Sequence, residues 1–468
     1  MSKLLLAFII VGFAQHALLA PTVDPRLINS LRQKGTTNVL VSMKDSVSPV
    51  LRSLRSTHFS TRADRLNSVA KTLEDFATES QKNVHAFLEA QKVGKSFSTK
   101  SLWVTNQIII KSADLDLVQK LAALDDISEI TEEFFIELDA PLDLQVYENL
   151  TSANDDEVQW GVQQIEAPVV WNSGNKGQGI LIATVDTGAR YTHEALRNNY
   201  VGGEYGWFDP GAGSFEPNDN NGHGTHTTAN IAGTARNIGV APGTQWSACK
   251  GCFSSFCSNL DLLECGQWIA CPTKADGSAP DCSKAPHLVS NSWGGGRGNE
   301  WYRDVVAVYR TSSIVPLFSI GNSGPGCGSA NSPGDYENVI GVGATDIDNT
   351  LSSFSSVGPT YLGSRVKPDV SAPGANVFSA YHTSDNAYAS LSGTSMACPH
   401  AAGVVALMLS ENQNLNYDQV KSALEGGSVP TTTTGRNCGE IPEDIYPNHH
   451  VGYGRINAVR SINAVRKL

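Results

Sequence analysis

The sequence predicts an α/β protein with a doubly wound, mostly parallel sheet, preceded by a small α+β domain with an antiparallel sheet. Beyond Trp160, short and strongly apolar runs alternate with helical stretches, which is typical of buried parallel strands joined by helices. That region is also rich in glycine, whereas residues 21–156 contain almost none. Strand and helix patterns alternate within residues 21–140, as expected for a separate small sandwich.

The composition of the 468 residues excludes several classes of protein. Charged residues make up only 17%, which argues against a disordered polyelectrolyte or a long coiled coil. The formal net charge of −12 is the wrong sign for a nucleic-acid-binding protein, so we expect no nucleic-acid partner. No apolar run after the N-terminus is long enough to span a bilayer, so we expect no membrane partner. We expect a globular monomer.

Residues 1–20 have the pattern of a secretory signal peptide. Lys3 gives a basic start, residues 4–14 form an apolar run, and small residues suited to a signal peptidase follow. We expect cleavage near Ala14–Ala20; cleavage after Ala14 fits a small-x-small site, and cleavage after Ala17 is the alternative. A membrane anchor would need a longer run. The sequence therefore predicts a secreted, extracellular protein.

The cysteines are confined to one part of the chain. All nine lie at or beyond Cys249, and six of them fall between Cys249 and Cys282. In an oxidising compartment such a cluster indicates a disulfide framework, whereas a zinc site would need a second C-x-x-C pair besides Cys249 and Cys252. Nine is odd, so at least one thiol stays free or pairs outside the chain. Many connectivities are open, and Cys271–Cys282 is the local bridge that we favour.

Residues 21–140 are predicted to form the small α+β domain. Its patterns are, in order, a strand at 38–43, a helix at 59–92, a strand at 102–111, a helix at 115–124 and a strand at 127–137. Residues 125–157 then hold twelve acidic residues and no Lys or Arg. We interpret 141–158 as a solvated connector, which contains the sequon that begins at Asn149. The second domain is expected at 159–468.

In residues 159–468, buried strands and helices alternate. The apolar runs predict strands at 180–185, 287–290, 314–320 and 339–342. Helical patterns lie between them at 223–235, 261–270 and 300–311. In a doubly wound sheet, functional side chains gather beyond the C-terminal ends of the strands.

Four reactive side chains stand at such strand ends and at helix starts. Asp186 follows the first strand, His223 begins a helical stretch of small residues, and Asn322 lies on a glycine turn after the third strand. Ser395 lies at a helix start, where backbone N–H groups favour negative charge. Each has an ordinary alternative: a turn Asp or Asn, a histidine on a helix face, or an N-cap serine. Together they are the nucleophile, base, orienting carboxylate and oxyanion donor that serine attack on an amide requires.

This set resembles the subtilisin-like serine peptidases over about residues 160–464. The motifs are D-T-G, H-G-T-H, G-N-S-G and G-T-S-M-A, and the flanking residues look closest to the bacillopeptidase F-like branch. The resemblance implies that Asp186, His223 and Ser395 form a catalytic triad. It implies that Asn322 and the Ser395 N–H form the oxyanion hole. It also assigns substrate binding to four consecutive residues, Ser292, Trp293, Gly294 and Gly295.

The resemblance further implies a secreted serine endopeptidase that cleaves proteins and peptides through an acyl-enzyme, needs no cofactor for catalysis and works best at neutral to alkaline pH. Residues 21–140 would be its inhibitory propeptide, an intramolecular partner released by self-cleavage between Asp143 and Gln159. Related enzymes often hold structural calcium, but no ligand pattern in this sequence places one. Cys398 replaces a usually small residue and is our candidate for the free thiol. Ile320 is bulkier than usual, which bears on pocket depth.

Two other functions are compatible with parts of the sequence. A catalytically inactive secreted binding protein can be built on a peptidase scaffold, and labelling by a fluorophosphonate would separate it from a peptidase. A metallohydrolase would use His223 and His226, and loss of activity in chelator would favour it. No third ligand occurs at regular spacing, so we expect His226 to pack structurally.

Overall fold

The computed structural model describes residues 21–93, 96–138, 142–148, 150, 157–361, 363 and 365–468. The predicted signal peptide and Asn149 of the sequon lie outside the described residues. The chain forms two compact units, of which the first comprises Met1–Asp45, Ser80–Lys100 and Ile108–Glu132, and the second Ser46–Glu79, Ser101–Gln107 and Glu133–Leu468. In the described parts of the chain, every helix is too short or too polar to cross a membrane.

The first unit contains a five-stranded sheet in the order β1-β5-β2-β4-β3, in which β2 and β5 are antiparallel and β1 and β5 are parallel. The predicted α+β architecture is therefore confirmed. From the N-terminus to β5, the last strand of this sheet in chain order, the elements are β1 (Thr22–Val23), α1 (Pro25–Lys34), β2 (Thr36–Met43), α2 (Ser48–Arg55), α3 (Arg62–Gln91), β3 (Ser98–Leu102), β4 (Gln107–Asp114), α4 (Leu115–Leu121) and β5 (Ile127–Glu132). Helix α2 belongs to the second unit, and α3 contributes to both.

Helices α1 and α2 were not predicted, and the run at 127–137 is two strands rather than one. Helix α1 has an ordinary start, because the Asp24 carboxylate accepts a hydrogen bond from the Arg26 N–H and Pro25 occupies the first turn. It ends at Gly35, whose φ of 82° lies in the left-handed region. Its ten residues carry buried side chains only at Leu27 and Leu31, which is a weak helical pattern.

The second unit is dominated by a seven-stranded sheet. Its elements are β6 (Phe135–Glu137), β7 (Leu142–Tyr147), α5 (Trp160–Gln164), α6 (Ala167–Asn172), β8 (Leu181–Asp186), β9 (Trp207–Phe208), α7 (His223–Ala232), β10 (Gln245–Lys250), β11 (Cys252–Phe253), β12 (Phe256–Ser258), α8 (Asn259–Ala270), a 3₁₀ turn (Cys282–Lys284), β13 (Leu288–Asn291), α9 (Arg303–Thr311), β14 (Val315–Ser319), β15 (Ile340–Thr345), β16 (Val370–Pro373), β17 (Val377–Ala380), β18 (Tyr388–Ser392), α10 (Thr394–Glu411), α11 (Tyr417–Gly427), β19 (Asn437–Cys438), β20 (Ile441–Pro442) and α12 (Ala458–Val465).

The sheet order is β16-β15-β14-β13-β8-β10-β9, and every neighbouring pair is parallel. The predicted doubly wound sheet is thus confirmed. From β8 the chain moves to β10 on one side and later returns to β13 on the other, so the strand order reverses between β8 and β13. In open α/β sheets the crevice beyond the carboxyl ends of the strands at such a point is the usual binding site. Asp186 ends β8, and Ser292 follows β13.

Helix α10 forms the centre of the core of this unit. It packs against α7 and against strands β13 to β16, and sixteen of its eighteen residues are buried. Small residues make this close packing feasible; a β-carbon on Gly403, for example, would lie 2.4 Å from the Val240 side chain. The two helices that begin at His223 and Thr394 are therefore held rigidly against each other and against the sheet.

Four disulfides join eight of the nine cysteines: Cys249–Cys265, Cys252–Cys257, Cys271–Cys282 and Cys327–Cys438. The predicted Cys271–Cys282 bridge is confirmed, and Cys398 is the free, buried cysteine, also as predicted. Cys249 and Cys252 belong to different bridges. The C-x-x-C spacing is therefore not a metal-binding pair.

Candidate active site

Asp186 and His223 contact each other directly. Nδ1 of the imidazole lies 2.8 Å from Oδ1 of the carboxylate, and both side chains are almost fully buried. The carboxylate also accepts hydrogen bonds from the Thr187 N–H at 2.7 Å and from the Thr227 hydroxyl at 3.2 Å. A carboxylate has no hydrogen to donate, so the shared proton resides on Nδ1 and Nε2 is the basic nitrogen of the neutral ring. A general base and the acid that orients it would require such a hydrogen bond.

The turn that presents His223 is organised by Asp219, a residue that the sequence analysis missed. Its Oδ1 accepts hydrogen bonds from the N–H groups of Asn221 and Gly222, which immediately precede His223, and from the Thr187 hydroxyl, next to Asp186. Its Oδ2 accepts from the N–H and hydroxyl of Thr225. One carboxylate therefore ties the end of β8 to the start of α7. The N-cap of α7 is Gly222, so no capping residue in the sequence pointed to Asp219.

Ser395 is the second residue of α10 and is nearly buried. Its hydroxyl donates to the carbonyl oxygen of Ser292 at 3.2 Å, while the Ser292 hydroxyl donates to the Ser395 carbonyl oxygen at 2.9 Å. Pro399 explains the second bond, because its missing N–H leaves the carbonyl four residues earlier, that of Ser395, without a helical donor. The register of β8 and β13 pairs Val185 with Asn291, so Ser292 follows directly beside the end of β8.

Asn322 lies beside the start of α10. Its Oδ1 accepts hydrogen bonds from the Thr394 N–H at 2.8 Å and from the Thr394 hydroxyl at 2.9 Å. Nδ2 lies 3.5 Å from the position that a β-carbon on Gly393 would take. The two bonds from Thr394 that hold the Asn322 side chain both go to Oδ1. The N–H groups of the carboxamide therefore take no part in these two bonds. They are suited to stabilising an oxyanion formed at Ser395.

Residues 292–295, predicted to bind substrate, follow directly after β13, and Ser292 contacts Ser395. A β-carbon on Gly294 would lie 3.4 Å from the side chain of Asn331, and one on Gly321, where φ is 103°, would lie 2.3 Å from its Nδ2. The side chain of Asn331 therefore lies close to both Gly294 and Gly321, the residue before Asn322, which the sequence analysis did not foresee. Ile320, whose bulk drew attention in the sequence, is fully buried.

Trp293 points away from solvent, into an aromatic cluster. Its ring centroid lies 5.1 Å from that of Tyr302, 5.3 Å from that of Phe318 and 6.2 Å from that of Trp301. The side chain is 2% exposed, so it anchors this segment in the core and presents almost no surface to a ligand.

Two segments of the chain, β6 and β7, lie near residues that neighbour Ser292 and Ser395 in sequence. Strand β6 pairs antiparallel with β12, and the Leu138 N–H donates to the Ser255 carbonyl at 2.8 Å. A β-carbon on Gly295 would lie 3.2 Å from the Ile136 side chain, so β6 also lies close to the segment that follows β13. Strand β7 pairs antiparallel with β18, where Leu142 is opposite Ser392, three residues before Ser395. Residues 139–141, which join these segments in sequence, lie outside the described residues.

Comparison with known proteins shows the family of this chain. A family model described as the subtilase family matches residues 177–454. The chain belongs to the subtilase family. Bacillopeptidase F of Bacillus subtilis (strain 168) is 32% identical over 95% of this chain and 32% of its own length. Thermitase of Thermoactinomyces vulgaris is 32% identical over 65% of this chain and 95% of its own length, and subtilisin Savinase of Lederbergia lenta is 33% identical over 59% and 93%.

These matches confirm the predicted subtilisin-like serine-peptidase family. The similarity of this subtilase to bacillopeptidase F extends over 95% of the chain, which confirms the predicted branch. The chain spans about a third of the length of bacillopeptidase F. Thermitase and subtilisin Savinase match shorter parts of the chain, 308 and 281 residues long.

His226 has a structural position in this subtilase. Its Nε2 lies 3.0 Å from the Val377 carbonyl and 3.1 Å from the Ala389 carbonyl, and Nδ1 lies 3.3 Å from Nδ2 of Asn230. Both ring nitrogens thus have partners within the protein. Burial, and secondarily the neighbouring His223, lowers the pKa of His226 to about 3, so its ring is neutral. The described residues contain no group of three or more His, Cys, Asp or Glu side chains suited to a metal ion.

Proposed function

We propose that this subtilase is a secreted serine endopeptidase that is made as a self-processing zymogen. The observation that carries the proposal is the hydrogen bond between Asp186 and His223 at the strand-order reversal, beside the helix start that presents Ser395. Ser395 is the nucleophile, His223 the general base and Asp186 the residue that orients the imidazole. Asn322 and the Ser395 N–H are the oxyanion donors.

The reaction is peptide hydrolysis in two steps. Nε2 of His223 takes the hydroxyl proton as Oγ of Ser395 bonds to the substrate carbonyl carbon, and the same proton then passes to the leaving amine as the peptide bond breaks. A water molecule next attacks the acyl-enzyme and gives a proton to His223. As the ester bond to Ser395 breaks, His223 passes that proton to Oγ of Ser395, which restores the free enzyme. The products are a carboxylic acid and an amine. None of these steps uses a metal or cofactor.

Substrates bind as extended strands. The main chain of Ser292–Gly295 on one side and β12 on the other provide strand edges, and the pairing of β6 with β12 illustrates how a peptide fits there. Main-chain pairing depends little on side chains, which favours broad action on proteins and peptides. Structural calcium is common in related enzymes, but no described set of acidic side chains fits it, and we assign no residue to it.

Residues 21–140 are the proposed propeptide, 141–158 the connector and 159–468 the peptidase domain. Self-cleavage between Asp143 and Gln159 stays a prediction. A first cut slightly upstream, within residues 139–141, is also compatible with the strand pairings, because β6 ends at Glu137 beside Gly295 and β7 begins at Leu142 opposite Ser392. Four disulfides and the apolar N-terminal run support secretion, since such bridges persist in oxidising compartments.

Replacement of Ser395 tests the proposal. The full chain is expressed as wild type, as Ser395→Ala and as Ser410→Ala, a control at the far end of the same helix. We expect the wild type and the control to shorten themselves and digest casein, and Ser395→Ala to stay full length and inactive. Digestion of casein by Ser395→Ala at the wild-type rate would contradict the assignment of the nucleophile.

A further inference from the structure

A disulfide bridge begins in the loop that carries Asn322. Residues 321–330, the oxyanion loop, lie between β14 and β15, and the loop reaches Cys327 five residues after Asn322. Cys327 is bonded to Cys438 in the short hairpin of β19 and β20, 111 residues further along the chain. The bridge therefore joins the loop of the proposed oxyanion donor covalently to a hairpin that is remote in sequence.

The oxyanion loop lies against residues 354–358 and is held there by backbone hydrogen bonds. The Gly321 carbonyl accepts a hydrogen bond from the Ser356 N–H at 2.9 Å, and the Gly324 N–H donates to the Phe354 carbonyl at 2.8 Å. These two bonds stand on either side of the proposed oxyanion donor. A shift of the loop relative to residues 354–358 therefore moves that carboxamide relative to the proposed nucleophile.

The exposed half of the loop depends on the bridge for its conformation. Residues 323–328 are Ser-Gly-Pro-Gly-Cys-Gly, and none of these six is buried. A β-carbon on Gly326 would meet nothing within 4 Å. Three glycines in so short a stretch leave many backbone conformations open to an unconstrained chain. The covalent bond at Cys327 restricts those conformations.

The other end of the bridge is firmly anchored. Cys438 is 3% exposed and belongs to a buried apolar cluster with Leu351, Val357 and Val451. The carbonyl of Val357 also accepts a hydrogen bond at 2.9 Å from the N–H of Ser329, near the end of the oxyanion loop. The bridge thus ties the exposed half of the loop to the same cluster that holds the end of the loop.

Cys327 is the accessible end of the bridge. It is exposed, whereas the six cysteines of the other three bridges are at most 7% exposed. A small thiolate can therefore attack Sγ of Cys327: a mixed disulfide forms, the bond between the two cysteines breaks, and Cys438 leaves as a thiolate. A second thiol then attacks the mixed disulfide and releases Cys327. In sum, two small thiols are oxidised to one disulfide, and the bridge is reduced to two thiols.

We propose that the Cys327–Cys438 bridge is a redox-sensitive positioning element for Asn322. When it is closed, it holds the oxyanion loop so that the carboxamide is directed to the oxyanion; when a small thiol opens it, the loop relaxes and the carboxamide moves away. This proposal rests on the proposed function, in which Asn322 is an oxyanion donor. Such a donor stabilises the transition state rather than the bound substrate, so opening the bridge lowers kcat and leaves KM nearly unchanged.

The experiment treats the activated wild-type protein with reduced glutathione. At intervals, kcat and KM are measured with an acyl-tetrapeptide p-nitroanilide, and a second sample is alkylated so that mass spectrometry identifies the cysteines that have opened. Three variants of the full chain are treated in parallel. Cys327→Ser/Cys438→Ser lacks the bridge, Cys271→Ser/Cys282→Ser lacks another bridge and is the matched control, and Asn322→Asp lacks the carboxamide donors.

In wild type we expect kcat to fall about tenfold in step with opening of Cys327–Cys438, because small displacements of a catalytic group have large effects on rate. Reoxidation should restore it. The variant without this bridge should start at the low kcat and not respond to glutathione, whereas the control should behave as wild type. In Asn322→Asp, opening the bridge should change kcat by less than about twofold, because the two changes act through one group.

Three results would overturn the proposal: an unchanged kcat in wild type with the bridge open, an equal fall in Asn322→Asp, or a native protein in which glutathione leaves this bridge closed or opens another first. Reduction of folded wild type makes the test independent of whether the double variants fold. Failure of the proposed function looks different, because wild type would then neither hydrolyse the substrate nor react with a fluorophosphonate before glutathione is added.

Discussion

The carbonyl oxygen of Ser395 accepts a hydrogen bond from the Ser292 hydroxyl, while the Ser395 hydroxyl donates to the Ser292 carbonyl. This reciprocal pair fixes the start of α10 to the end of β13, one strand away from Asp186. The proposed nucleophile is therefore positioned by the sheet as well as by its own helix. In the ground state its hydroxyl proton is directed to a backbone oxygen, and reaction requires it to turn toward His223.

Asp186→Asn should lower kcat by about 10⁴-fold, the order known for loss of this carboxylate in Ser-His-Asp peptidases. An asparagine that donates to Nδ1 would hold the wrong tautomer, with the proton on Nε2, so His223 could not act as base. Steady-state kinetics with a peptide p-nitroanilide checks the effect, with the exposed Asp276→Asn as the control. A loss below tenfold would contradict the orienting role.

Asn322→Asp should lower kcat by about 10²- to 10³-fold with little change in KM, the range found for loss of one oxyanion donor in a related peptidase. The aspartate retains the Oδ1 acceptor for Thr394 but lacks the N–H donors. Thr394→Val, which keeps the backbone N–H bond to Oδ1, is the control and should change kcat much less. Equal losses in both variants would assign Asn322 a purely structural role.

The unfolding free energy should fall as the pH drops from 6.5 toward 4.5. Burial lowers the pKa of His226 to about 3 and those of His287 and His400 to about 4, whereas the unfolded chain takes up these protons below about pH 6.5. The unfolded state then binds more protons, so each ring costs up to about 1.4 kcal/mol per pH unit in that window. Stability above pH 6.5 is unaffected by these groups.

Denaturant unfolding of the inactive Ser395→Ala protein at several pH values measures this slope without self-digestion. His287→Gln provides a matched variant, because glutamine can still accept the Leu181 N–H bond that Nδ1 of His287 accepts at 3.1 Å. Its slope between pH 6.5 and 4.5 should be shallower. A flat profile for the parent protein would show that these histidines do not remain neutral on folding.

Cys398 should be unreactive in the folded protein. Burial raises its pKa to about 12, so almost no thiolate forms near neutral pH, and the thiol is nearly inaccessible. Titration with a chromogenic disulfide reagent should find no thiol in the native protein and one thiol per chain in denaturant without reductant. Cys398→Ser should give none in either case. Rapid labelling of the native protein would contradict the buried position.

Four of the seven strands of the sheet in the second unit, β8, β13, β14 and β15, were predictable because they are short, buried and mostly apolar; β9, β10 and β16 were not predicted. Strand β8 was predicted at 180–185 and is Leu181–Asp186. The prediction that Asp186 lies at the C-terminal end of this strand is therefore correct to one residue. Strand β7 was missed for the opposite reason. Its residues are exposed and follow no buried pattern, and only pairing with the distant β18 makes them a strand.

The residues of the candidate site likewise include some that the sequence predicted and some that it did not. Asp186, His223, Asn322 and Ser395 stand in local motifs, so the sequence alone could single them out. Asp219 was missed because its bond to the Thr187 hydroxyl, which links the end of β8 to the start of α7, appears only in the folded chain. Asn331 was missed because its closeness to Gly294 and Gly321 also comes from folding. The compact units also interleave along the chain, which local composition does not reveal.

Active-site labelling tests the central claim most directly. The activated protein is treated with a fluorophosphonate probe, digested with trypsin, and the modified residue is located by mass spectrometry. We predict one adduct, on Ser395, whose formation parallels loss of hydrolytic activity and is abolished in His223→Ala. An active protein that carries no adduct, or carries it on another residue, would contradict the claim that Ser395 is activated by His223 and Asp186.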